Sequence, residues 1–224
     1  GDAAVYLRRQ SVLQKKIKMK CEEGKRMLVE DLIKQSISVK EKILHDGTML
    51  KAIEKVSQVI IKSLQNHGKI LLCGNGGSAS DSQHIAAEFI GRFQCNRDSL
   101  PAISLNENTA VLTAVANDYG YQEVFARAVE GLMKPEDVLI GISTSGDSEN
   151  VYRAILKAKE IGGCTVALVG KTGGKIKEPA DYNIVVPSDC TARIQESHIM
   201  IGHIICEIVE NNFNDNKGKT GGMV

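Results

Sequence analysis

The chain has 224 residues, enough for one α/β domain with a sizeable core and short of two full ones. Its 28 Lys and Arg balance 27 Asp and Glu, and a net charge of +1 excludes a polyanion-binding surface spread over the whole molecule. No apolar run reaches the length of a bilayer span, and no charged-then-apolar start resembles a secretory signal, so the expectation is a protein neither spanning a membrane nor secreted.

The charge is unevenly placed. Residues 1–26 carry eight bases against three acids, leaving the rest of the chain mildly acidic. This basic leader lacks apolar periodicity, and Met19 and Met27 can both serve as starts, so it is expected to be an added or disordered tail. A basic arm for nucleic acid or organelle import is the lesser alternative, and no nucleic-acid partner is expected. The six cysteines are scattered without C-x-x-C or zinc-ribbon spacing, which suits reduced thiols in the cytoplasm and gives no support to a cysteine metal site.

From Met27 to His67 the pattern is helical. Leu28, Leu32, Ile33, Ile37, Ile43 and Leu44 form one apolar face; Leu50, Ile53, Val56, Val59, Ile60 and Leu64 form a second, with Asp46-Gly47 as the break. Short apolar runs then alternate with helices. Strands are expected at 69–73, 102–105, 138–142, 165–169 and 184–186, and helices at about 79–92, 108–116, 121–132, 148–160 and 192–211. That alternation predicts an α/β fold, a five-stranded parallel sheet flanked by helices and preceded by a helical hairpin. One domain is expected over 27–213, with a polar, glycine-rich disordered tail over 214–224.

Ligands of such sheets bind beyond the carboxyl ends of the strands. Two of those ends are rich in small hydrogen-bonding residues: Cys73-Gly74-Asn75-Gly76-Gly77-Ser78-Ala79-Ser80 and Ser143-Thr144-Ser145-Gly146-Asp147-Ser148. Glycines let the backbone approach an anion, and the helix behind each loop aims N–H groups and its positive dipole end at it. Hydroxyls with few cations suit a sugar phosphate held by neutral donors, and neither Walker A nor G-x-G-x-x-G spacing is present. The plainer alternative is a pair of tight turns with Ser78 and Ser148 as helix caps; two such loops at equivalent strand ends favour the phosphate.

His84 and Glu88 lie four residues apart on one helix face, and Gln195 and His203 eight apart on the last helix. Brought together, they could close a site for zinc or a similar ion, or supply a carboxylate base and an imidazole acid. Spacing alone does not bring the two helices together. His67 and His198 read as ordinary surface or core histidines.

The order of these motifs is itself informative. Leu72-Cys73-Gly74-Asn75-Gly76-Gly77-Ser78, His84-x-x-x-Glu88, Ala116-Asn117-Asp118-Tyr119-Gly120, Gly141-Ile142-Ser143-Thr144-Ser145-Gly146 and Ala192-Arg193-Ile194-Gln195-Glu196 with His203 resemble the phosphoheptose isomerases, sugar-isomerase (SIS) domain proteins, over about residues 27–211. The resemblance implies interconversion of sedoheptulose 7-phosphate and D-glycero-D-manno-heptose 7-phosphate, on the way to nucleotide-activated heptose for bacterial surface polysaccharide. It also implies a cytoplasmic homotetramer with sites between subunits and one zinc per subunit, held by His84, Glu88, Gln195 and His203. Substrate contacts are implied for Asn75, Gly76, Gly77, Glu88, Asn117, Asp118, Ser143, Thr144, Ser145, Ser148 and Gln195; Ser78, in the first loop, joins these candidates. A ketose–aldose exchange needs a base and an acid flanking two carbons, roles assigned to Glu88 and His203.

Two carboxylates, Asp147 and Glu149, depart from the pattern beside the presumed phosphate loop; Asp147 is expected to point outward. The main rival is a related SIS protein that binds the replication initiator DnaA, which lacks the glutamate and final histidine present here. Another SIS isomerase, for arabinose 5-phosphate or hexulose phosphate, and a sugar-phosphate sensor are the others.

Overall fold

The computed structural model describes residues 29–220, with side chains through 214; the basic leader at 1–26 lies outside the described residues. The described residues fall into two units, 29–35 and 36–220. The described part of the first is helical and opens α1 (Val29–His45). The second unit carries everything that positions the site.

Asp46 separates α1 from α2 (Gly47–Gln65) by capping the latter, its Oδ1 accepting from the N–H groups of Thr48 (2.9 Å) and Met49 (3.1 Å). Met49, Ile53, Val56, Ile60 and Leu64 then recur at helical spacing and are buried. The apolar face expected of α1 behaves differently. Val39 and Ile43 are buried, whereas Ile37 (48%) and Leu44 (63%) stay exposed in the single subunit.

Five strands follow: β1 (Ile70–Gly74), β2 (Ala102–Ser104), β3 (Val138–Ser143), β4 (Cys164–Gly170) and β5 (Tyr182–Val186), in the order β2-β1-β3-β4-β5 and all parallel. Between them lie α3 (Gly77–Ile90), α4 (Thr109–Tyr119), a short 3-10 turn (Tyr121–Glu123), α5 (Val124–Leu132) and α6 (Glu149–Ile161); α7 (Thr191–Thr220) closes the chain. Strand residues alternate between two cores, as the pleat requires. Ile70, Leu72, Ile140 and Leu168 pack with α2, α3 and α7 on one face, while Leu71, Cys73, Leu139 and Ala167 pack with α5 and α6 on the other.

Helix α7 runs to Thr220, through much of the segment that composition reads as a disordered tail. Its packed portion presents Ile194, His198, Ile201, Ile205 and Val209 to the core. Once such a helix is anchored, each further residue adds a hydrogen bond at little cost, so polar residues can continue it. Chain order leaves β1 for β2 on one side and returns at β3 on the other. The crevice between β1 and β3 is therefore the topological switch point, and both glycine- and serine-rich loops open onto it.

Candidate active site

The first loop is held open by a frame. Asn106, just beyond β2, uses its carboxamide on both backbone groups of Gly74: Nδ2 donates to Gly74 O (2.9 Å) and Oδ1 accepts from Gly74 N (3.3 Å). Ser82 joins Asn106 to Ser104. Gly76 sits at φ +57°, a backbone that side chains rarely adopt, and it, not Ser78, is the N-cap of α3. Ser78 is buried and its N–H closes the turn on Asn75 O (3.0 Å), which makes it part of the frame. Gly76 and Gly77 are exposed. The Gln195 carboxamide lies against Gly77, about where a side chain there would begin.

In the second loop Ser143 Oγ meets Ser148 Oγ at 2.9 Å and accepts from Gly146 N (3.1 Å), while Ser145 Oγ accepts from Asp147 N (3.1 Å). Ser148 stands at the N-cap of α6, but its hydroxyl turns to Ser143 and leaves the helix N–H groups alone. Thr144 and Ser145 are half-buried. Asp147 points away as expected: it is exposed, and its Oδ1 accepts from the backbone N–H of Lys175 (3.1 Å). The Glu149 charge is also accounted for. Lys175 and Arg153 both bond it and hold its carboxyl below the ordinary range, and Arg153 bonds Glu123 in turn.

The candidate acid-base residues meet because α3 and α7 approach closely. A Cβ at Gly202 would stand 2.5 Å from Ile85 Cδ1, so the helices touch where neither side needs room. The residues next to this contact are His84 and His203. Their Nε2 atoms face each other at 3.4 Å, their rings are edge-on (72°), and Glu88 Oε1 stands 3.0 Å from His84 Nε2. Candidate ligand atoms of His84, Glu88 and His203 all lie within 4.8 Å of one another. A tetrahedral zinc centre with Zn–N bonds of about 2.0–2.1 Å has edges of roughly 3.3–3.4 Å. Two imidazole nitrogens at that spacing with a carboxylate oxygen beside them fit such an ion. Gln195 lies two turns before His203 on the same helix, at the first loop.

Asn117 and Asp118 are exposed at the end of α4, their side chains bonded to each other (2.8 Å). Three residues after Asp118, Tyr121 reaches Asn75.

Several contributors escaped the sequence pattern. Asp81, one turn before His84, has a buried Oδ2 without a partner, and burial pushes its carboxyl up to about 6 against the pull of His84. Its i, i+3, i+7 spacing to His84 and Glu88 was a usable signal. Phe93 stacks against His203 with ring centroids 5.4 Å apart. Its loop is tied down by Glu210, which accepts from the N–H groups of Phe93, Gln94 and Cys95 and from Arg97 Nε (3.0 Å); Arg97 also donates to Glu88 O (2.7 Å). Nothing in the spacing of Arg97 and Glu210 signals that pairing.

Known proteins resemble the chain in sequence and in fold. The SIS domain model matches residues 33–170. A phosphoheptose isomerase of Clostridium acetobutylicum is 54% identical, covering 81% of this chain and 93% of that protein. One from Helicobacter pylori is 51% identical over 83% of this chain and 98% of its own length. The solved structure of a phosphoheptose isomerase from Francisella tularensis superimposes with a TM-score of 0.79 at 35% identity, covering 82% of this chain and 96% of that one. With glycine- and serine-rich loops at the switch point, an imidazole–carboxylate cluster and relatives of this identity along most of its length, the chain belongs to the phosphoheptose isomerase family of SIS-domain proteins.

Proposed function

We propose that this protein interconverts sedoheptulose 7-phosphate and D-glycero-D-manno-heptose 7-phosphate, supplying heptose for nucleotide activation toward bacterial surface polysaccharide. The observation that carries the reading is the meeting of His84, Glu88 and His203 in a fold whose switch point carries two hydroxyl- and glycine-rich loops. The serine hydroxyls of Ser143, Ser145 and Ser148, with Thr144 and the start of α6, hold the phosphate and fix one end of the sugar. Asn75, Gly76, Gly77 and Gln195 line the other loop; Asn117 and Asp118 approach from α4.

Glu88 Oε1 faces His84, so Oε2 is the oxygen that takes the proton from C1 of the ketose and returns it to C2. His203 exchanges the proton of the neighbouring hydroxyl and carbonyl oxygens. Phe93 against one side of its ring limits the orientations that imidazole can take. His84, Glu88, Gln195 and His203 would hold one zinc per subunit, which when bound supplies positive charge to the enediolate oxygen.

The assembly we propose is a homotetramer with sites completed between subunits. An apolar groove between α1, α2 and α7, lined by Ile43, Leu44, Leu50, Met200, Ile204 and Ile208, supports it. So does the half-exposed His84 side chain. Free thiols at Cys95 and Cys190, both exposed, support a reducing, cytoplasmic setting. None of the described helices is long and apolar enough to cross a membrane. The DnaA-binding alternative draws no support from the relatives above.

The test is turnover of sedoheptulose 7-phosphate by zinc-loaded protein beside Glu88→Gln. Wild-type turnover with kcat lowered about 10²–10⁴-fold in the variant is expected. An intact, zinc-bound wild type that leaves the ketose unchanged would overturn the assignment.

A further inference from the structure

Beyond the proposed reaction, and resting on that reading of the crevice, one hydrogen-bond network links the two loops through Asn150 and Tyr121, which no motif singled out. Asn75 in the first loop and Asn150 in the first turn of α6 form a reciprocal amide pair. Asn75 Nδ2 donates to Asn150 Oδ1 at 2.8 Å, and Asn150 Nδ2 donates to Asn75 Oδ1 at 2.9 Å. Tyr121 OH donates to the same Asn75 Oδ1 at 2.9 Å. Asn150 is 3% exposed, while Tyr121 is 56% exposed.

The orientation of both amides follows from a backbone group. Val151 N–H lies 3.0 Å from the Asn150 side chain, and a backbone N–H can only donate, so the atom it meets is Oδ1. That fixes Asn150, and the reciprocal pair then fixes Asn75. Turning Asn75 alone would set N–H against N–H and oxygen against oxygen. Both lone pairs of Asn75 Oδ1 are then occupied, by Asn150 and Tyr121. One hydrogen of Nδ2 goes to Asn150, so the second Nδ2 hydrogen is the capacity the amide has left.

We infer that Asn150 and Tyr121 are positioning residues that hold Asn75 as a hydrogen-bond donor toward an oxygen of the sugar phosphate, and that through the same bonds they set the spacing of the two loops. A free asparagine can offer either its carbonyl or its amine to a ligand; this one is held to the amine. An anionic or hydroxyl-rich ligand gains from that choice, because no reorientation is required on binding.

Tyr121→Phe removes one hydroxyl from an exposed ring and leaves the fold intact. We expect it to weaken binding of sedoheptulose 7-phosphate roughly three- to tenfold, the size of one neutral hydrogen bond, with kcat within about twofold. The decisive measurement is a double-mutant cycle with Asn75→Ala, read as Kd by calorimetry and as KM and kcat by turnover. In the Asn75→Ala background Tyr121→Phe should have no further effect, and the thermal midpoints of the wild type and Tyr121→Phe should agree. Equal losses in both backgrounds, or no loss in either, would overturn the inference. Sugar phosphate that binds without turnover would sink the isomerase reading alone, because the cycle in Kd still decides the role of Tyr121. Absence of binding by the wild type would overturn both.

Discussion

His198 is fully buried in α7, and burial pushes its imidazole down to about 4 from an ordinary 6.5, with the Val169 backbone offsetting part of the effect. The unfolded chain therefore binds an extra proton between about pH 4 and 6.5. Stability from this group is complete above 6.5 and is lost as pH falls through that window, on the order of 3 kcal/mol. Asp81 acts oppositely: its raised carboxyl contributes stability at low pH that is lost as pH rises toward about 6. The two partly cancel in the wild type, so the effect is separated by comparison with His198→Gln. The gap in thermal midpoint between them should move in favour of the wild type as pH rises from 4 to 6.5. A gap that stays constant would mean that the imidazole ionises normally.

At the scale of elements, the active cluster is a product of one helix crossing. His84 and His203 belong to helices separated by more than a hundred residues, and they meet because Gly202 leaves space for Ile85. An alanine at 202 could be absorbed by a shift of the Ile85 tip; a branched residue could not. Gly202→Val is therefore expected to part α3 from α7, lower affinity for the proposed zinc at least tenfold and reduce turnover, while leaving the far-ultraviolet circular dichroism helical. Unchanged zinc affinity in a folded Gly202→Val would show that the crossing does not set the cluster. Glu210 and Arg97 brace the same corner from behind, with side chains only 1% and 3% exposed. Such a buried pair, once satisfied by several hydrogen bonds, holds a loop more rigidly than apolar contact would.

At the scale of the whole molecule, the side chains of Ile37, Leu44, Leu50 and Ile204 are left exposed by the described residues. Burial of a leucine or isoleucine contributes about 1.5–3 kcal/mol each, so a shared interface is the natural place for them. Leu44→Glu combined with Ile204→Glu should shift the sedimentation of the protein from the proposed tetramer to smaller species at micromolar concentration. Turnover should fall with it if neighbouring subunits complete the site. A tetramer that survives both changes would place the interface elsewhere.

Much of this molecule was legible in one dimension. The strands, the two loops at their ends and the Asp46 break between the first helices follow from local periodicity and turn chemistry, which neighbours in sequence decide. The candidate acid-base residues were legible as types: His84 and Glu88 share a helix face whatever the fold. Other features depended on distant parts of the chain meeting. The outward turn of Asp147 rests on the backbone of Lys175, the orientation of Asn75 on Asn150 and Tyr121, and the support of Glu88 and His203 on Arg97, Glu210 and Phe93. The extent of α7 and the uncovered face of α1 likewise departed from what composition suggested. Sequence by itself determined which elements form and which chemistry they carry, because backbone propensity and side-chain period act over a few residues. Only the tertiary structure decided which carboxylates face the crevice and which helices touch, because those are settled by packing between residues far apart in the chain.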